Sequence, residues 1–203
     1  VTAIIVTLLV GLIILGGVKR ISTASSVIVP FMAILYVTTS LVIILLNIEK
    51  VPDAISLIIY SAFDPQAALG GAVGFTVMKA IQSGVARGIF SNESGLGSAP
   101  IAAAAAQTRE PVRQGLISMT GTFLDTIIVC TMTGIVLVLT GAWNNPELAG
   151  ATVTNYAFAQ GLGTSIGATI VTVGLLFFAF TTILGWCYYG ERCFVYLVGI
   201  RGV

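Results

Sequence analysis

Four stretches of this 203-residue chain contain no Asp, Glu, Lys or Arg: residues 1–18, 21–48, 126–146 and 148–190. A run of about 18 apolar, uncharged residues is long enough to cross a hydrocarbon layer roughly 30 Å thick. Charged residues make up 8% of the chain, against roughly 25% in a soluble domain, and hydrophobic residues 57%. The sequence predicts an all-α integral membrane protein that crosses the bilayer several times, in the cell membrane.

The same composition excludes several functions. The formal net charge is +1 and the basic residues are scattered singly or in pairs, so there is no basic patch for nucleic acid. The chain has no histidine, which removes Ser-His-Asp triads, Cys-His pairs and His-containing zinc sites. Cys130, Cys187 and Cys193 lie in apolar runs without CxxC spacing and are read as packing residues. Gly163-Thr164-Ser165-Ile166-Gly167 has the outline of a nucleophile elbow, but with no histidine and no preceding strand Thr164 or Ser165 is read as a helix N-cap. No catalytic residue, metal ligand or cofactor is predicted. Val1 already stands in an apolar run with no basic n-region, so the sequence is expected to be an internal segment of a longer protein.

Five spans are predicted, at about 1–17, 27–48, 76–107, 115–140 and 164–190. Gly16-Gly17 followed by Lys19-Arg20 marks the end of the first, and Pro30 is placed near the start of the second. Basic residues fall mainly on one side: Lys19, Arg20, Arg109, Arg113, Arg192 and Arg201 share the cytoplasmic turns, and Lys50 faces outward.

The third span is expected to be broken near 91–97, where Ser91-Asn92-Glu93-Ser94-Gly95-Leu96-Gly97 separates two half-helices. Irregular backbone at membrane depth leaves N–H and C=O groups unpartnered unless protein, water or a ligand satisfies them. Gly95 and Gly97 permit φ above zero and close approach of a ligand. A half-helix beginning at Ser98 would favour a carboxylate, and one ending at Phe90 would offer carbonyls to an ammonium group or a sodium ion. A zwitterionic amino acid matches both ends. Close helix packing through small residues accounts well for Gly70 to Gly88 and the alanine run, but not for a Glu beside an Asn between two half-helices.

Other polar residues stand in apolar surroundings. Asp125 lies near mid-depth of its span, as a functional carboxylate or as the partner of Arg87. Thr181 and Thr182 either bond back to their own helix or supply oxygen ligands to a hard cation. Trp186 is an interfacial anchor or a cavity wall. Of all the charges, Arg87, Glu93 and Asp125 are the three without an evident aqueous environment.

The string GIFSNESGLGSAPIAAAAAQT at 88–108 resembles the signature of the alanine or glycine:cation symporter family, whose core is usually SNEAGLGSAP. The flanking strings GGVKRI (16–21), VPFMA (29–33), PQAALGG (65–71), PVRQGL (111–116), DTIIVCT (125–131) and TTILGWCYYGE (181–191) are similar to the same family, so the resemblance covers nearly the whole chain. Ser94 replaces the more usual alanine, and Ala103 stands where many members carry histidine. The resemblance implies symport of alanine or glycine with sodium or protons. It also implies a leucine-transporter-type five-plus-five inverted repeat, of which this chain would form about spans four to eight. Phe90, Ser91, Asn92, Gly95, Gly97 and Trp186 would line the substrate site. Thr181 and Thr182 would bind the coupling cation, with Asp125 a weaker candidate beside Thr126. Glu93 would hold the unwound backbone. The alternatives are a channel, which needs a continuous polar path, and a structural membrane subunit.

Overall fold

The computed structural model describes residues 2–63, 71–93 and 95–199, and every regular element among them is helical. Asp64, the turn through Gly70, Ser94 and Arg201 lie outside the described residues, as does the side chain of Lys79. The chain divides into two compact units, one of Val1–Thr38 with Thr169–Val203 and one of Thr39–Ala168.

The first unit holds α1 (Thr2–Ile14), the front of α2 (Gly17–Leu46) and most of the last helix, α8 (Ile166–Val198). At the end of α1 the Arg20 guanidinium donates to the carbonyl of Leu12 at 3.3 Å, capping the helix where its carbonyls lack partners. The polar front of α2 satisfies itself: Thr23 donates to the carbonyl of Lys19 and Ser26 to that of Thr23, both at 2.9 Å. Pro30 is inside α2 rather than near its start, because the helix already begins at Gly17. Having no N–H, it cannot serve the carbonyl one turn back. Ile21, Met32, Val171 and Leu184 are buried, and Phe31 meets Phe177 edge to face at 6.1 Å between ring centroids.

The second unit contains the end of α2, a 3-10 turn at Ile48–Lys50, α3 (Val51–Phe63), α4 (Gly71–Ser91), α5 (Ala99–Ala103), α6 (Pro111–Leu139) and α7 (Ala151–Leu162). Helices α3 and α7 pack against the Thr131–Leu139 part of α6. Ile43, Val136, Ala157 and Phe158 are fully buried there. Two glycines set the closest approaches. A Cβ at Gly161 would press on the side chain of Ile43, and one at Gly167 would overlap the backbone carbonyl of Phe158. Asn47 fastens the Ile43–Gly161 contact, its amide donating to the carbonyls of Ile43 at 2.9 Å and Gly161 at 3.5 Å.

Among the described residues three helices are long and apolar enough to cross a membrane, Gly17–Leu46, Pro111–Leu139 and Ile166–Val198. This corrects the expectation of five spans in a five-plus-five inverted repeat. The first apolar run forms a helix of only 13 residues, about 20 Å at 1.5 Å per residue. The region 76–107 divides between α4, which carries Lys79 and Arg87, and a five-residue piece. What the described residues form is an all-α, multi-pass membrane bundle. Each of the three long helices has basic residues at one end: Lys19 and Arg20 for α2, Arg109 and Arg113 for α6, Arg192 for α8. Large apolar side chains such as Leu8, Ile34, Leu45, Ile117 and Leu176 face outward, as suits contact with lipid.

The glycine contacts make a directional comparison. Gly167→Ala should lower stability by about 1–3 kcal/mol, because the obstructing atom is backbone and cannot turn aside. At Gly174 nothing lies within 4 Å of an added Cβ, so Gly174→Ala should be neutral or gain up to about 1 kcal/mol of helix propensity. Thermal midpoints of the two variants in detergent check the order.

Candidate substrate and cation site

Helix α4 stops at Ser91 and the chain turns before α5 begins at Ala99. The turn is held by backbone bonds from Asn92 N–H to the Gly88 carbonyl at 3.1 Å, from Glu93 to Phe90 at 3.2 Å and from Leu96 to Glu93 at 3.4 Å. Three residues take positive φ: Glu93 at 52°, Gly95 at 79° and Gly97 at 80°. Glu93 is the only non-glycine residue in that region among the described residues. The left-handed conformation costs an L-residue roughly 1–2 kcal/mol. Its carboxylate offsets this by accepting a hydrogen bond from Ser98 Oγ at 2.8 Å, and Ser98 is 6% exposed. Glu93 and Ser98 therefore close the unwound stretch on itself.

The piece after the break is shorter than the half-helix expected over 98–107. It covers Ala99–Ala103, and Ser98 stands in right-handed geometry with no side-chain cap bond. Five residues sum few peptide dipoles, so this element exerts little electrostatic pull on a carboxylate.

Helix α6 carries the feature that the sequence did not disclose. Between Phe123 and Cys130 it widens into a π-helix, bounded by α-helix over Pro111–Thr122 and Thr131–Leu139. Such segments interrupt helices chiefly at functional sites. Asp125 stands at the midpoint of α6 and is half-buried. Ser91 Oγ donates to Asp125 Oδ2 at 2.6 Å. The neighbouring pair is joined as well: Asn92 Nδ2 donates to Thr126 Oγ1 at 2.9 Å, and Thr126 Oγ1 lies 3.1 Å from Asn92 Oδ1, to which it donates. Asn92 Nδ2 also reaches the Gly88 carbonyl at 3.0 Å. Arg87, the alternative partner considered for Asp125, forms no ion pair with it among the described residues.

The structure thus brings Ser91 and Asn92 together with Asp125 and Thr126. Phe90 precedes them and is 64% exposed, and Gly95 and Gly97 follow. Nothing in the local sequence FLDTIIVC marks a π-helix; the available signal was two adjacent polar residues inside an apolar span.

Thr181, Thr182 and Trp186 belong to the other unit, on α8. Thr181 and Thr182 stand at the middle of that helix. Thr181 Oγ1 donates to the carbonyls of Phe177 at 3.0 Å and Phe178 at 3.1 Å, and Thr182 Oγ1 to Phe178 at 2.7 Å. A hydroxyl that spends its proton on its own helix still has lone pairs to offer. Trp186 meets Tyr189 edge to face at 5.8 Å and remains 45% exposed. One turn further, Arg192 pairs with Glu191 at 3.2 Å and lies 5.1 Å over the ring of Tyr188.

The sodium:alanine symporter family matches residues 1–203, and the chain belongs to that family. It is 98% identical over its full length to an uncharacterized transporter of Haemophilus influenzae, of which it covers 44%. It is 50% identical to the sodium/alanine symporter AgcS of Methanococcus maripaludis, aligning over 100% of this chain and 44% of that protein. The probable sodium/glutamine symporter GlnT of Bacillus subtilis is 39% identical over 94% of this chain and 41% of its own length. The chain therefore spans less than half the length of these relatives.

The geometry at Glu93 separates side chain from backbone. Glu93→Ala loses the bond from Ser98 and keeps the left-handed strain, whereas Glu93→Gly loses the bond and relieves the strain. Glu93→Gly should therefore be about 1 kcal/mol more stable than Glu93→Ala, read as thermal midpoints of the two proteins.

Proposed function

We propose that the chain serves secondary active symport of a small neutral amino acid, alanine or glycine, coupled to entry of sodium or protons across the cell membrane. The observation that carries this reading is the unwound stretch with three positive-φ residues, seated against a carboxylate at the midpoint of an apolar helix. Backbone of this kind offers N–H and C=O groups at a depth where protein, enclosed water or a bound solute must satisfy them. The left-handed backbone at Gly95 and Gly97 suits a carboxylate, and the carbonyl end of α4 suits an ammonium group. Ser91 and Asn92 belong to the same substrate site, with Phe90 limiting side-chain size. Trp186 supplies an aromatic face on its own unit.

Thr181 and Thr182 are proposed for the coupling cation, their lone pairs acting as hard oxygen donors once the protons are spent on α8. Asp125 is a second candidate, for an ion or for coupling. Relatives named for sodium and alanine support sodium and alanine as the first pair to test. The relative named for glutamine supports a common grip on the α-amino and α-carboxyl groups, with the side-chain pocket setting preference.

The test is uptake of labelled alanine into proteoliposomes by the protein at the length of its relatives, driven by a sodium gradient. Thr182→Ala should raise the sodium concentration for half-maximal uptake severalfold, since it removes one oxygen ligand. An unchanged sodium dependence would take Thr182 out of the cation site.

A further inference from the structure

We propose that the π-helical segment Phe123–Cys130 is a clasp for the unwound stretch, in which Thr126 and Asp125 are positioning residues that fix Asn92 and Ser91. The proposal deepens the transport reading and rests on it for the identity of the solute. Its physical basis is that two adjacent residues of one segment engage two adjacent residues of the other in order: Ser91 with Asp125, Asn92 with Thr126. On a regular α-helix neighbouring side chains diverge by about 100°, and so do not address one partner strand together. The wider turn of a π-helix reduces that divergence, and both rungs form within it.

The hydrogen-bond inventory of Asn92 gives the clasp its content. A primary amide has two donors and one acceptor oxygen. Nδ2 spends its donors on the Gly88 carbonyl and on Thr126 Oγ1, while Oδ1 accepts from Thr126. The hydroxyl proton of Ser91 is likewise spent on Asp125. The donors of both side chains are therefore committed to protein, and what they leave to a solute is lone pairs, beside the backbone of the turn through Glu93, Gly95 and Gly97. The Gly88 carbonyl, which can only accept, sets which way that amide points, and the Thr126 hydroxyl, able to donate and to accept, bonds it in that orientation. The clasp sits beside the midpoint of α6.

The experiment uses the protein at the length of its relatives, with Thr126→Val as the isosteric variant lacking the hydroxyl and Thr126→Ser as the one that keeps it. Thr126→Ala serves as the second hydroxyl-free variant if Thr126→Val is not recovered folded. Hydrogen exchange at the amides of residues 92–97, measured in detergent without any solute, should speed up about tenfold in Thr126→Val or Thr126→Ala and stay near wild type in Thr126→Ser. A tenfold change is about 1.4 kcal/mol, the scale of the bonds lost. In proteoliposomes the same hydroxyl-free variants should raise the KM for alanine about tenfold with the half-saturating sodium concentration unchanged. Unaltered exchange in the hydroxyl-free variants would overturn the clasp. So would equal acceleration in Thr126→Ser, which would make side-chain volume the cause, or faster exchange with an unchanged KM. Wild-type protein that takes up no alanine would defeat the transport reading instead, and the exchange measurement would still decide the clasp.

Discussion

A peptide group at mid-membrane has no water to turn to, and leaving one unsatisfied costs several kcal/mol. Every element of this chain answers that constraint. The long helices satisfy their backbones internally, and their hydroxyl residues bond back one turn, as Thr133 does to Val129 at 2.7 Å and Thr140 to Val136 at 2.8 Å. The break after Ser91 cannot satisfy itself in that way. It is therefore knit by other means: short-range backbone bonds, the Glu93–Ser98 closure and the contacts to Asp125 and Thr126. The polar residues around the break are matched to its irregular backbone.

The membrane character of the chain was legible because it depends on composition summed over long windows, which is insensitive to where each helix stops. The break was legible for a local reason: Asn92, Glu93, Gly95 and Gly97 stand in a row in an otherwise apolar region, and only a non-helical backbone makes use of so many residues of that kind. The count of spans was not legible. Gly16-Gly17 does end a helix, but another begins at Gly17 itself, so the polar residues up to Ser26 are wound into α2 and the preceding helix is left with 13 residues. Likewise 98–107 has the alanines of a helix, yet Ala99–Ala103 is all that winds. Helix ends are decided by tertiary partners as much as by propensity. The π-helix at Asp125 was invisible for the same reason: apart from Asp125 and Thr126 its sequence is apolar, ordinary for a membrane helix, and its register answers to residues more than thirty positions earlier.

Two polar constellations stand at the middles of long helices, Asp125 with Thr126 on α6 and Thr181 with Thr182 on α8. Their chemistry differs. Asp125 brings a charge and accepts from Ser91, whereas the Thr pair brings neutral oxygens whose protons are already used. Membership of the sodium:alanine symporter family gives both a shared context, since a symporter must hold a solute and an ion at a depth remote from either surface.

The π-helical stretch has a consequence for how α6 can change over generations. A π-helix differs from an α-helix by a surplus of backbone within a turn, so the alignment of Asp125 and Thr126 with Ser91 and Asn92 is a property of chain length as well as of residue identity. Loss of one amino acid between Thr122 and Cys130 would remove that surplus and let the segment rewind as α-helix, leaving the helix beyond it in nearly the same orientation but shifting Asp125 and Thr126 relative to Ser91 and Asn92. Point substitutions can tune this helix, but a frame-preserving deletion of a single codon would keep the helix and lose the alignment.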